Sequence, residues 1–376
     1  MKFVFYTHSL VSDWNHGNAH FLRGVMRELV ARGHQAIALE PEDGWSRMNL
    51  LREQGEAAVN RFSRDFPELV SCIYGADFAH EEGLEDADVV VVHEWTDPAL
   101  VARIGRVRAK GGDFTLLFHD THHRAVSAEP QISELKLRDY DLVLAFGEAL
   151  RERYLKAGWG RQVLTWHEAA DTRLFHPIDG EEKEGDLIWI GNWGDDERTA
   201  EIGQFLIEPA AKLGLKGTVR GVRYPPEALE ALKKAGLSYG GWIANADVAR
   251  AFARHHATVH IPRRPYVQAL PGIPTIRVFE ALASGIPLIS APWNDAEGLF
   301  RPGTDFLFVN DGEEMAAALR RVLSDPGLAA SLSAAGLETI RKRHSCAHRV
   351  DELLAALVRH GTLKVRKQLA PMEAAE

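Results

Sequence analysis

The chain is 376 residues long, with 45% hydrophobic and 26% charged residues, the balance of an ordinary globular protein, which excludes a disordered, collagen-like or coiled-coil chain. Its net charge of −9, from 44 Lys and Arg against 53 Asp and Glu, argues against nucleic-acid binding, which needs a basic surface field. It leaves room for a small phosphate compound held by a few placed cations and backbone N–H groups. No apolar run nears the ~20 residues of a membrane-spanning helix, and the opening MKFVFYTHSLVSDWNHG does not read as a signal peptide. Cys72 and Cys346 are too few for a disulfide framework or a structural zinc site. The expectation is a reduced, cytoplasmic chain, with attachment at a membrane surface left open.

From the N-terminus, Lys2–Tyr6 reads as a buried strand, His20–Arg32 as an amphipathic helix stopped by Gly33, and Gln35–Leu39 as the next strand. Strands follow at Asp88–Val92, Asp113–Phe118, Asp141–Ala145 and Gln162–Thr165, with helices at Pro98–Ala109 and Glu148–Lys156; HEEGLEDAD (80–88) reads as a solvated loop. The stretch FHPIDGEEKEG (175–185) has the composition of a linker. A second set of strands then begins at Leu187–Ile190 and continues at Gly217–Val222, Ala257–Ile261, Ile286–Ser290 and Asp305–Val309. Its helices are predicted at Ala200–Leu213, Pro226–Ala235, Ala246–His255, Thr275–Ser284, Gly312–Leu323, Pro326–Arg343 and Ala347–His360, before a polar tail from Gly361. Short apolar strands alternating with helices imply parallel sheets covered on both faces. The prediction is an α/β chain of two doubly wound, Rossmann-like domains facing a central cleft, with ligands at the carboxyl ends of the strands. The divisions are 1–178, 179–345 and a C-terminal helix and tail, 346–376.

Four segments just after strands could carry chemistry. In LPGIPTIRVFEALASG, Pro274 presets a helix start. The free N–H groups near Thr275 and Ile276 then form an anion site within reach of Arg277, with Glu280 one turn on; the plain alternative is an ordinary αβ unit. In GNWGDDER, Gly191 and Asn192 let backbone approach a ligand and Arg198 opens a helix; Asp195 and Asp196 read as helix caps before they read as metal ligands. In FHDTHHRA, His119 and Asp120 are candidate hydrogen-bonding groups of an active site, with metal binding by this histidine-rich run a lesser alternative. In SLVSDWNHGNAH, Gly17 and Asn18 precede a helix and face the same cleft, and Trp14 and Trp193 sit where they could stack on a sugar or base. Neither the dinucleotide fingerprint nor the phosphate loop GxxxxGK[ST] is present.

Three stretches resemble the group 1 glycosyltransferases of the GT-B fold. They are DLVLAFGEALRERYLKAG with the turn Ala169-Ala170-Asp171-Thr172-Arg173-Leu174-Phe175-His176-Pro177, the run FEALASGIPLISAP, and GNAHFLRGVMRELVARGH. The variant Ile-Pro-Thr-x-Arg-Val-Phe-Glu is most similar to the spore-maturation-protein-like branch. The resemblance implies a hexosyltransferase-type enzyme that moves a sugar from a nucleotide-diphosphate donor to an acceptor of unknown kind, with retention, without metal and with no further cofactor. It matches Glu280 to the family's ribose contact, Pro274, Thr275 and Ile276 to its diphosphate-binding backbone, and His119 to its histidine beside the reacting carbon. With the reading of the segments themselves, donor contacts are also expected from Gly191, Asn192, Arg198 and Arg277, acceptor contacts from Gly17, Asn18 and His20, and catalytic roles for His119, Asp120 and Arg277. The family's main branch carries a Glu eight residues before Glu280; this chain has Gly272 there. A sugar-nucleotide 2-epimerase and a non-catalytic binding or scaffold protein are the competing expectations.

Overall fold

The computed structural model describes residues 1–15 and 17–359; the side chain of Asn18 and the predicted tail from Gly361 lie outside that description. The first sheet holds seven strands, β1 (Lys2–Tyr6), β2 (Gln35–Pro41), β3 (Val70–Tyr74), β4 (Val89–His93), β5 (Thr115–Asp120), β6 (Leu142–Ala145) and β7 (Val163–Thr165). The second holds six, β8 (Gly185–Ile190), β9 (Gly217–Arg220), β10 (Leu237–Tyr239), β11 (His255–His260), β12 (Leu288–Ser290) and β13 (Leu307–Phe308). Their orders are β3-β2-β1-β4-β5-β6-β7 and β10-β9-β8-β11-β12-β13. Both are doubly wound, and each reverses direction once, between β1 and β4 and between β8 and β11. Every neighbouring pair is parallel.

The period of two in the strands sorts the core. Phe3 and Phe5 pack into one apolar cluster and Val4 and Tyr6 into another on the opposite face; Ile188 and Ile190 divide from Leu187 and Trp189 in the same way. The cluster that takes Phe3 and Phe5 also takes Ile188, Ile190, Phe279 and, from the last helix, Leu353 and Leu357. One apolar body therefore runs from the first sheet to the second. That last helix, Cys346–Arg359, returns to pack on the first, Gly17–Ala31. A Cβ on Gly24 would lie 2.5 Å from the Cys346 Sγ and 2.8 Å from the Asp171 Cβ, so only glycine allows the crossing.

Several sequence expectations shift. The first helix starts at Gly17, three residues early, and HEEGLEDAD contributes a short helix, His80–Leu84, with both named residues buried. β3 and β10 are additional strands, and both are short edge strands whose side chains are largely exposed, so hydrophobic patterning does not mark them. The helix expected at Ala200–Leu213 widens to a π segment over Gly203–Ile207. Pro209 cannot donate to a carbonyl one turn back and its ring crowds that carbonyl, and a wider turn relieves both.

Candidate functional site

In doubly wound sheets the ligand crevice opens where strand order reverses, at the carboxyl ends of the strands. A cleft of about 1140 Å³ lies there, between the two sheets. Its walls come from the loops after β1 (His8, Ser12, Asn15, Gly17), β4 (Trp95, Asp97), β8 (Gly191, Asn192, Arg198) and β11 (Arg263, Tyr266, Thr275, Ile276, Arg277).

The first of these loops is held by two buried charged groups that sequence reasoning missed. Glu40 on β2 accepts from the backbone N–H groups of Leu10 at 2.7 Å and Val11 at 3.1 Å. Arg23 donates to the carbonyls of Leu10 and Val11 and to Asp13, which in turn accepts from the Asn245 backbone N–H of the second lobe. Asn192 reaches across to Asn15, a second link between the lobes at the cleft floor.

On the second lobe, the loop after β8 lies hard against Gly221, where a Cβ would fall 2.1 Å from the Gly191 carbonyl oxygen; Gly221 also has φ +152. Asp195 and Asp196 have left-handed backbone, φ 49 and 65, and neither caps the following helix, which begins at Thr199 with no side-chain cap. Asp195 instead pairs with Arg223 at 2.9 Å, itself at φ 63. Arg198 donates to the carbonyls of Ile261 and Asn192 and lies over the Trp189 ring, and its Nε has no partner. Burial, then the nearby Arg263, pull its pKa down to about 9, so it stays charged at neutral pH. Among the described residues no carboxylate pairs with it.

The helix Ile276–Ala283 begins one residue later than expected, with Thr275 as its N-cap residue rather than Pro274 at its first turn. The Thr275 hydroxyl does not cap. The Ser290 hydroxyl donates to the Ala291 carbonyl and so accepts from His260 Nδ1, which leaves His260 Nε2 to accept from Thr275 at 3.1 Å. Burial, then Arg198 and Arg277, lower His260 to about 3, which keeps it neutral and fixes that tautomer. The helix thus presents its first backbone N–H groups, with Arg198, to the cleft.

Gly17, Gly191, Asn192, Arg198, Thr275, Ile276 and Arg277 line the cleft as expected. Asn18 belongs to the first helix by its backbone; its side chain is outside the described residues. The other expectations need correction. Pro274 is not on the cleft wall. Glu280 is fully buried, with one carboxylate oxygen on His20 at 2.8 Å and the other on Arg277. His20 is equally buried: the Asp171 backbone N–H donates to its Nε2, so Nδ1 carries the proton given to Glu280. These two residues knit the first helix to the second lobe, and neither lies on the cleft wall.

His119 is 4% exposed among Phe21, His93 and Trp166, and Asp120 is fully buried, accepting from the Tyr154 hydroxyl at 2.7 Å and the His122 backbone N–H at 3.0 Å. Both lie beneath the cleft wall, because β5 runs through Asp120, two residues further than predicted. His122 and His123, on the loop beyond, reach the cleft instead. Trp14 is buried against Trp45 and Val222, whereas Trp45 and Trp95 line the cleft at 49% and 42% exposure. Among the described residues no group of three or more His, Cys, Asp or Glu is placed to hold a metal ion, and no helix is long and apolar enough to cross a membrane.

Gly272 has φ +86, and a Cβ there would lie 2.7 Å from Glu297 Cγ. Glu297 is occupied, accepting from the Glu148 backbone N–H at 2.8 Å and pairing with His167 at 2.7 Å.

Comparison with known proteins agrees with this geometry. Residues 198–355 match the family model described as "Glycosyl transferase-like". The structure is similar to sucrose-phosphate synthase from Thermosynechococcus elongatus (14% identity, 96% of this chain and 100% of that chain, TM-score 0.64). It is also similar to HepE from Anabaena in complex with UDP and glucose (13% identity, 95% and 99%, TM-score 0.68). An α-glucosyltransferase in complex with UDP and a 13-mer DNA containing an HMU base aligns over 95% and 99% of the two chains, with 11% identity and TM-score 0.70. No curated protein matches the chain. The architecture is the GT-B fold, two Rossmann-like parallel-sheet domains.

Proposed function

We propose that the protein is a glycosyltransferase that takes a sugar from a nucleoside-diphosphate donor, with uridine diphosphate the first candidate for the leaving group. The observation that carries this reading is the partly buried cation Arg198, unpaired by any carboxylate among the described residues, beside the open end of the Ile276–Ala283 helix. A diphosphate would supply the missing negative charge. The match of residues 198–355 and the UDP complexes of two similar structures support the same donor class.

In this mechanism the bond between the anomeric carbon and the phosphate oxygen breaks while the acceptor oxygen attacks the same carbon. Charge develops on the departing diphosphate and oxocarbenium character on the sugar. The helix N–H groups and Arg198 stabilise the first; a placed donor of this kind contributes roughly 3–4 kcal/mol in the transition state. The attack comes from the same face, with retention, and the acceptor proton passes to the departing phosphate oxygen. No metal takes part in this reading, since Arg198 and the helix supply the positive field. The acceptor side, between Trp45 and Trp95, offers aromatic faces to a ring-shaped partner.

Calorimetric titration with UDP, GDP and ADP tests the reading. One of them binds the wild type, and Arg198→Gln weakens that binding at least tenfold, as loss of a charge-assisted contact implies. A wild type that binds none of the three overturns it. Binding with no transfer or hydrolysis of any sugar nucleotide would favour a non-catalytic binding protein, and isomerisation of the donor without acceptor a 2-epimerase.

A further inference from the structure

Glu168, in the turn after β7, is 5% exposed, yet it lines the cleft. Among the described residues its carboxyl group has no hydrogen-bond or ion-pair partner; only its backbone carbonyl is engaged, by Arg349. Its oxygens are not among the sealed, unsatisfied atoms of the interior, so they open on the cleft. The groups that face it are Glu280, by charge, and the buried Tyr266. Burial first, and Glu280 second, push the carboxyl well above the usual range, toward its neutral form.

A buried polar group without a partner destabilises the fold; no group of the fold pairs with the Glu168 carboxyl, and only the cleft can supply a partner for it. Elsewhere the buried carboxylates are satisfied: Glu40 by backbone N–H groups, Asp120 by Tyr154 and His122, Glu280 by His20 and Arg277. Position 272 cannot supply a carboxylate either, because its backbone is left-handed and Glu297 fills the space. Among the described residues Glu168 is thus a deep carboxyl group left open to a ligand, and its chemistry suits one that carries hydroxyls. A carboxyl group accepts hydrogen bonds in either form and donates one when protonated, which matches an alcohol.

We propose that Glu168 binds a hydroxyl group of the sugar nucleotide, reaching it from the hinge between the lobes. The proposal rests on the donor class argued above. The hydroxyl belongs either to the ribose or to the transferred sugar.

Titration of the full chain with UDP, 2′-deoxy-UDP and UDP-glucose tests it, using wild type, Glu168→Gln and Glu168→Ala. Glu168→Ala should weaken UDP-glucose about tenfold. Glu168→Gln, which still donates and accepts, should stay within about threefold of wild type. If UDP is weakened along with UDP-glucose but 2′-deoxy-UDP is not, the partner is the ribose; if only UDP-glucose is weakened, it is the sugar. Both variants should melt no lower than wild type, since the group makes no contact that stabilises the fold. Wild-type binding that survives unchanged in Glu168→Ala overturns the proposal and leaves the donor class standing. A fall in melting temperature in Glu168→Gln with unchanged affinity makes the residue structural and also overturns it. A wild type that binds none of UDP, GDP and ADP removes the donor class first, and the proposal with it.

Discussion

Arg277 illustrates how a single side chain can face a cleft and still belong to the core. It lines the ligand space, but it is 8% exposed and its guanidinium is committed to the buried Glu280. Removing it takes the cationic partner from the buried Glu280 and leaves His20 on its other oxygen, and breaking a buried pair in this way costs about 3–5 kcal/mol. Arg277→Ala should therefore lose that much in urea unfolding, whether or not it also loses nucleotide affinity. A variant with wild-type stability would show that His20 and the remaining surroundings suffice for Glu280. Gly272 gives a second test. Gly272→Ala must hold an L-residue in left-handed backbone, at a cost of about 1–2 kcal/mol, and must push Glu297 away from Glu148 and His167. The expected outcome is a lower unfolding midpoint, and Gly272→Glu should be worse still and should not strengthen sugar-nucleotide binding; improved binding would mean the loop tolerates a carboxylate there. The sequence places Arg198, Gly191 and the start of the Ile276 helix at strand ends, and these do reach the cleft. It does not show that His20 and Glu280, 260 positions apart, use each other. Pairing across that distance depends on the docking of the lobes, which no local pattern reports. Glu168 was hidden for a related reason: an Ala-rich turn after a strand carries no sign of which residue is left without a partner.

Among the elements, the last helix has the largest consequence. Its approach to the first lobe passes through His344, 2% exposed, whose Nε2–H donates to the Leu299 carbonyl at 2.8 Å while Nδ1 accepts from Arg349 at 2.9 Å. Burial is the main cause that lowers His344 to about 3, and the Arg349 guanidinium adds to it against the opposing pull of the Leu299 carbonyl. The unfolded chain takes up the proton near pH 6.5 and the folded chain does not. The stability from this group is therefore complete above about pH 6.5 and is lost as the pH falls toward 3. At pH 5 the loss is about 2 kcal/mol. Because His344→Gln does not titrate, the stability difference between wild type and variant should shrink by about 2 kcal/mol between pH 7.5 and 5. A difference that stays constant would mean that His344 is protonated in the folded protein. Helices such as Pro98–Ala109 and Pro326–Arg343 have the bounds their sequence announces, since Pro opens both and Asp caps both. The edge strands β3 and β10 and the π segment were illegible because exposed side chains and a proline's wider turn leave no periodic signal.

At the scale of the whole molecule, each lobe has an apolar cluster of its own, and the two share a third. The cluster that begins at Phe3 includes Phe21, Leu142 and Trp166 of the first sheet's layer, Ile188, Phe252 and Phe279 of the second, and Leu353 and Leu357 of the closing helix. The polar links follow the same boundary: His20 to Glu280, Asp13 to Asn245, and Trp166 Nε1 to the Arg349 carbonyl at 2.9 Å. A lobe that unfolded alone would expose half of this apolar body and break the links of His20 to Glu280, Asp13 to Asn245 and Trp166 to Arg349. The cost of that intermediate exceeds what its gained chain entropy returns, so it should not accumulate. Scanning calorimetry should then show one transition, with van't Hoff and calorimetric enthalpies equal within error, although a chain of this length would ordinarily be expected to divide into two. A saturating nucleoside diphosphate, at about 100 times its dissociation constant, should move that single transition upward by about 2.7 kcal/mol of added stability. Two resolved transitions, with the ligand shifting only the later-melting or only the earlier one, would mean that the shared core is divisible and that donor binding is a property of one lobe alone. A single transition that shifts as a whole would mean that the cleft and the core beneath it are one cooperative unit, so that substitutions at His20 or Asp13, on the opposite side from Arg198, weaken nucleotide binding without touching the nucleotide.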